Sequence, residues 1–346
     1  MSKTVQELNQ SAWQARYTDR QASEALSRQA LELAESNGDE LGQGFALRSM
    51  AHAQLMTGQP EQSLEPLTRA LEIARSHQNQ VLERDSLNLL AQVHNWFGDM
   101  ERAVGLVNET YRLSVNLQDH AMVSSCLTNI SIMYHQMGQD LTSLEYAQEA
   151  IERAVALGDR VREAIALSNA GVACSGLSQF QAGLNTIERS QKLCNELKLE
   201  DLKLRNRVNR AEILLGLGKL EEALLEVNQA LEVLRAQGVK EGEAQCLFLL
   251  GQIRLAEGNH QEAEDFSGQA LELAVETKSR ALEASVRRIL AQANKNLGHF
   301  EAALQNLEQA GQIEREVRTE GAHRRMRTLS KLNLVDRLEN LLRTQH

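Results

Sequence analysis

Leu217-Gly218-Lys219-Leu220-Glu221-Glu222-Ala223-Leu224 decides the fold. The stretch reads as a Gly turn that stops one helix, followed at once by a second helix with small and large apolar residues on one face. Forty residues away in either direction the element returns. Gly58, Gly98, Gly138, Gly218, Gly258 and Gly298 share one register, with Thr18 at the front and Ser178 in the middle taking the turn position. A fixed period of this length marks a repeat array, in which each unit buries the apolar face of its neighbour.

Each period reads as two antiparallel helices. In residues 83–117, Leu87, Leu90, Ala91 and Val93 give the first helix one apolar face, and Phe97-Gly98 stops it. Asp99 is placed to cap the second helix, where Ala103, Val104, Val107, Tyr111 and Val115 follow at spacings of three and four. Three positions per period stay small through eight cycles. They run from Ser11 to Ala291 on the first helices, from Ser23 to Ala303 twelve residues later, and from Ala30 to Ala310 seven further on. Small side chains there let paired helices approach, and a large one would overpack the contact at a cost of ~1–3 kcal/mol.

Composition agrees. The chain is 42% apolar and 3% aromatic with two prolines, and it is rich in strong helix formers. Its mean hydropathy is -0.39 and no apolar run approaches membrane-spanning length. Residues 1–7 lack the apolar core of a signal peptide, so the expected location is the cytoplasm. Cys126, Cys174, Cys194 and Cys246 are scattered, as small buried hydrophobes are, with none of the clustering that metal or redox use requires. The net charge is -10; residues 311–346 carry eight Arg/Lys against five Asp/Glu, which leaves the first 310 residues at -13. A body this acidic is a poor match for nucleic acid.

Small, Gly turn, small, small at spacings of 7, 5 and 7 resembles the tetratricopeptide repeat (TPR). The resemblance covers roughly residues 4–318. The common member has a shorter period and a Pro near its end; here the period is 40 residues and that Pro is absent. This looks like the long-repeat branch found in bacterial peptide-pheromone receptors, regulator arms and spindle-orientation adaptors. It implies an all-α, right-handed α-solenoid of about eight helix-turn-helix repeats, with the first helices lining a concave wall that takes an extended peptide or a helix. The array is least regular from Ser175 to Arg210, where Ser178 replaces the turn Gly and Lys203, Arg205, Arg207 and Arg210 charge a first helix. That stretch is a candidate hinge.

No nucleophile elbow, zinc-protease signature, phosphate loop or EF-hand spacing occurs, and the nine histidines are dispersed; His52, His94 and His135 read as polar surface. No enzyme, cofactor or metal is expected. The candidate site is the wall itself. Nine residues before the turn stand Asn129, Asn169 and Asn209 in three consecutive repeats, with Asn9 in the same register. Asn is a modest helix former whose amide suits a peptide group. In the resembled branch, Asn at this place holds ligand backbone; ordering of the stack is the competing reading. Arg205, one turn before Asn209, would pair an acidic group. Glu212, Gln245, Gln252 and Arg48 complete the wall candidates, with Leu215, Phe248 and Trp96 as apolar anchors.

Residues 319–346 read as a separate capping or linker helix with Leu329, Leu332, Val335, Leu338 and Leu342 on one stripe. It either covers the last repeat or forms a short coiled coil that joins two protomers. The expected function is a non-enzymatic protein- or peptide-binding scaffold. The alternative is a sensory or dimerising arm of a bacterial signalling protein, resembling those coupled to diguanylate cyclase or kinase domains.

Overall fold

Residues 3–16, 19–56 and 59–332 are described by the computed structural model, without the side chains of Arg20, Met56 and 317–332. The expected turn residues Thr18 and Gly58, and the distal tail with Val335, Leu338 and Leu342, lie outside the described residues. Among the described residues the structure is all-helical. Eight helix pairs follow one another: α1 (Lys3–Ala15) with α2 (Arg20–Ser36), α3 (Glu40–Met56) with α4 (Pro60–Ser76), α5 (Gln80–Trp96) with α6 (Met100–Asn116), and α7 (His120–Gln136) with α8 (Asp140–Ala156). Then come α9 (Arg160–Gly176) with α10 (Phe180–Leu197), α11 (Glu200–Gly216) with α12 (Leu220–Gln237), α13 (Lys240–Ala256) with α14 (His260–Glu276), and α15 (Arg280–Leu297) with α16 (Phe300–Leu332).

Sequential helices pack on each other, and odd helices also touch the next odd helix, as in α1 with α3, α9 with α11 and α13 with α15. This is an α-solenoid. Two compact units form within it, one of residues up to Ile130 together with the end of α16 from Gly321, and one of Ser131–Glu320. The boundary falls inside α7 rather than in the irregular stretch at 175–210, where α9, α10 and α11 run without interruption.

The backbone punctuation is denser than the glycines suggest. Left-handed residues stand at 38, 78, 98, 118, 138, 158, 178, 198, 218, 238, 258, 278 and 298, so the turn between repeats uses the same element as the turn within them. At Gln78, Gln118, Ser178, Lys198 and Lys278 a non-glycine residue adopts it, with φ between 51° and 59°. Side-chain caps cluster in the early turns: Asp19, Asp39, Asn79, Asp119 and Asp159 each accept from the backbone N–H three residues on. Asp99 does not act as the cap expected of it; its carboxylate faces His94 at 3.4 Å instead.

The small positions bring paired helices into backbone contact. Ser131 and Ser143 hydroxyls each donate to the other's carbonyl at 2.9 and 2.8 Å. At Gly171 and Gly183 a Cβ on either would approach the other's carbonyl to 3.3 and 3.0 Å. Ser11 is the exception and is exposed. All four cysteines are buried, as their spacing implied. In α16 the helix continues past residue 319 to Leu332 without a break.

Candidate functional site

The second unit carries an open recess of about 700 Å³ built almost wholly from first helices. Glu212, Leu215 and Gly216 come from α11, and Glu241, Gln245, Phe248, Leu249 and Gln252 from α13. Ala281, Leu282 and Ser285 come from α15, Ser279 from the turn before it, and His135 from the end of α7. Spacings of three, four and seven put each set on one face of its helix, so the wall follows from helical period alone. Leu215, Phe248 and Leu282 rest on the buried cluster formed by Ile213, Leu214, Leu247 and Leu250, which supplies an apolar floor.

Polar groups rim that floor without internal partners. Among the described residues the side chains of Gln245, Gln252 and Glu212 make no hydrogen bond. Glu212 stays open to solvent on one side, yet the surrounding wall desolvates it and raises its pKa above 4.5; the nearby His135 imidazole works in the opposite direction. His135 is oriented by Asp140, whose carboxylate lies 2.6 Å from Nδ1.

One and two turns earlier on α11, the same face presents Asn209 and Arg205. Asn209 is half-buried and has no hydrogen-bond partner among the described residues. Arg205 borders a second recess of about 440 Å³ with Val161, Ile165, Leu199 and Leu202. Desolvation lowers its pKa, and no carboxylate lies within ion-pair distance among the described residues. Its neighbours differ: Lys203 pairs with Glu200, and Arg207 and Arg210 with Glu226.

The remaining candidates separate from this group. Asn169 is buried at 9% exposure, and Asn129 is half-buried in the first unit. Neither lines the recess. Asn9, in their register, donates from Nδ2 to the Gly42 carbonyl at 3.0 Å and so ties α1 to α3. A second amide that the spacing did not flag, Asn206, is wholly buried and donates to Ser190 at 2.8 Å, which holds the irregular middle repeat together.

Arg48 is not a wall residue. It is 4% exposed, its Nη1 lies 2.7 Å from Asp85, and its guanidinium stacks 3.6 Å from the Trp13 ring centre. Burial brings it down to about 10, with Asp85 opposing that shift. His52 and His94 are likewise buried, His52 edge-on to Trp13, rather than on the polar surface. Trp96 is exposed and packs edge-on against Phe97. Among the described residues no three His, Cys, Asp or Glu side chains are grouped to hold a metal ion, and no helix is long and apolar enough to cross a membrane.

Residues 202–276, from the first turn of α11 to the end of α14, match the tetratricopeptide repeat family model. No curated protein sequence matches the chain. Solved structures share its fold at low identity. The apo form of the quorum sensor NprR from B. thuringiensis is 17% identical, with 89% of this chain and 86% of that one covered and a TM-score of 0.70. A Rap protein complexed with competence and sporulation factor is 14% identical, with 92% and 100% covered and a TM-score of 0.65. A signal-transduction ATPase with a tetratricopeptide repeat sensor from Pyrococcus horikoshii is 14% identical over 96% of this chain and 50% of that one, with a TM-score of 0.63.

Proposed function

We propose that this TPR solenoid is a protein- or peptide-binding scaffold, and that a partner segment docks on the wall formed by α11, α13 and α15. One observation carries the reading: an apolar floor of Leu215, Phe248 and Leu282 is ringed by Glu212, Gln245 and Gln252, none of which is used by the fold. Unpaired amides in a half-desolvated groove match the backbone groups of an extended segment. Asn209 extends the amide set, and Arg205 takes an acidic group such as a terminal carboxylate. A Rap protein of the same fold has been crystallised with competence and sporulation factor, which is in keeping with this use of the architecture.

The test is selection of a binding peptide from a displayed random library, followed by calorimetry on variants. Phe248→Ala, and Gln245→Ala with Gln252→Ala, are expected to weaken binding tenfold or more, about 1.4 kcal/mol or above. Arg69→Ala, on an exposed side chain that does not line the recess, is the control. Unchanged affinity in the wall variants would remove the reading.

A second reading, a sensory arm that passes occupancy to another module, is favoured by α16, which at 33 residues is the longest helix described. Amide hydrogen exchange decides it. Slowed exchange in 317–332 on peptide binding supports the arm, and no change there rejects it.

A further inference from the structure

One stripe of α11 carries two opposite charges with an amide between them. Arg205, Asn209 and Glu212 stand four and three residues apart, so they share one face of the helix. At the same three places α9 has Ile165, Asn169 and Val172, α13 has Gln245, Leu249 and Gln252, and α15 is likewise uncharged. Within this wall α11 therefore sets the charge at these places, with a cation in its first half and a carboxylate in its second.

The fold uses neither charge. Lys203, Arg207 and Arg210 on the same helix pair with Glu200 and Glu226, whereas Arg205 and Glu212 have no ion pair among the described residues. Seven residues separate them, about 10 Å of helix, so they do not pair with each other. The wall desolvates both all the same, which lowers the pKa of Arg205 and raises that of Glu212, with His135 opposing the second shift. Each stands to gain from an opposite charge brought in from outside. His135 is held by Asp140, so the Glu212 end of the recess adds a second carboxylate and no permanent cation.

The complement of this stripe is a polypeptide main chain with a free N-terminus. Its α-ammonium matches Glu212, a peptide group matches the Asn209 amide, and a carboxylate further along matches Arg205. A Lys side chain would also offer Glu212 an ammonium, but its apolar stem has nothing for Asn209. An extended chain rises about 3.3 Å per residue, so a span of about 10 Å places the carboxylate near the fourth residue. Gln245 and Gln252, the register counterparts of Arg205 and Glu212 on α13, offer two more amides to the backbone between the ends.

We infer that the wall takes a free peptide N-terminus, its ammonium on Glu212 and its chain running antiparallel to α11 towards Arg205. This direction rests on the docking of a segment at the same wall, and adds which end of that segment enters and how it lies. Asp201 and Glu241 stand one turn before Arg205 and Gln245 on their helices, so an ammonium held there would reverse the chain.

The probe is a peptide selected on the full chain from a phage library with free N-termini, then synthesised with a free and with an acetylated N-terminus. Calorimetry should show acetylation weakening binding about tenfold or more on the unmodified protein and less than about twofold on Glu212→Gln. Glu241→Gln should keep the full effect. Arg205→Ala should lower affinity only while the peptide keeps its acidic group near the fourth residue. An acetylated peptide that binds as well as the free one, an acetylation loss that persists in Glu212→Gln, or one that vanishes in Glu241→Gln would each overturn the inference. In all three cases weaker binding by Phe248→Ala retains the docking wall itself. Unchanged affinity in Phe248→Ala, or a library without a binder, removes the wall and the direction together.

Discussion

Arg48 and Arg205 both stand on first helices, and the two units treat them in opposite ways. In the first unit Arg48, Asp85, Arg84 and Asp119 form one continuous set of ion pairs that links α3, α5 and the cap of α7. Arg48, Asp85 and Arg84 are each 9% exposed or less. In the second unit Arg205 is exposed without a carboxylate partner among the described residues, and Asn209, Gln245 and Gln252 on the same wall have no hydrogen-bond partners. One unit spends its polar groups on holding successive repeats in register. The other packs Gly171 against Gly183 and Ile213 among leucines and pairs most of its charges nearer the surface, as Arg160 with Glu196 and Lys240 with Glu276, while the wall amides stay without partners among the described residues.

The comparison can be broken hardest at Asp85. It neutralises two buried guanidiniums, with Arg48 at 2.7 Å and Arg84 at 2.7 Å. Asp85→Ala leaves both charges buried without it, and removing one partner of such a set costs ~3–5 kcal/mol. Chemical denaturation should therefore show the first unit unfolding at lower denaturant, ahead of the second, as a separate transition. A loss below ~1 kcal/mol would mean the ion pairs behave as surface pairs, and the contrast between the units would dissolve.

The repeat register and the helix pairs were legible because Gly98, Gly138, Gly218, Gly258 and Gly298 mark a left-handed turn that few other residues adopt cheaply. Of the intervening turns, those at Gly38, Gly158 and Gly238 carry the same signal, whereas Gln78, Gln118, Lys198 and Lys278 reach that backbone region without it and were not legible. Glu212, Gln245, Gln252 and Phe248 could be placed on the wall from helical period alone. Arg48 could not be excluded in the same way. Its partner Asp85 lies 37 residues downstream on the next first helix. Charged residues default to the surface unless such a partner is known. The tight His135–Asp140 pair, which depends on the turn between α7 and α8, was equally invisible to periodicity.

The Asn register sharpens the contrast at intermediate size. Asn9 is 4% exposed and donates to the Gly42 carbonyl, a bond that belongs to the stack. Asn209 occupies the equivalent place in the second unit with no such bond. Asn9→Ala should cost about 1–2 kcal/mol because a buried carbonyl loses its donor. Asn209→Ala should change stability by no more than about 0.5 kcal/mol while weakening binding of a selected peptide. Equal stability losses at both sites would show that the amide row only orders the array.

The smallest effect concerns the one wall carboxylate whose environment opposes its charge. Desolvation raises the Glu212 pKa above 4.5, and the His135 imidazole only partly offsets this. A carboxyl group with a raised folded-state pKa contributes most stability below its unfolded pKa, and that contribution is lost as pH rises through the folded value. At neutral pH, then, the ionised group works against folding. Glu212→Gln should raise the melting temperature by about 1 °C at neutral pH, and the gap should close as pH falls below 4.5. A gap that persists in acid would trace the gain to packing instead of charge. Asp85, a buried carboxylate in the first unit, sits between two guanidiniums that offset the cost of burying its charge. Glu212 has no guanidinium beside it among the described residues, so its charge is tolerated at a small cost.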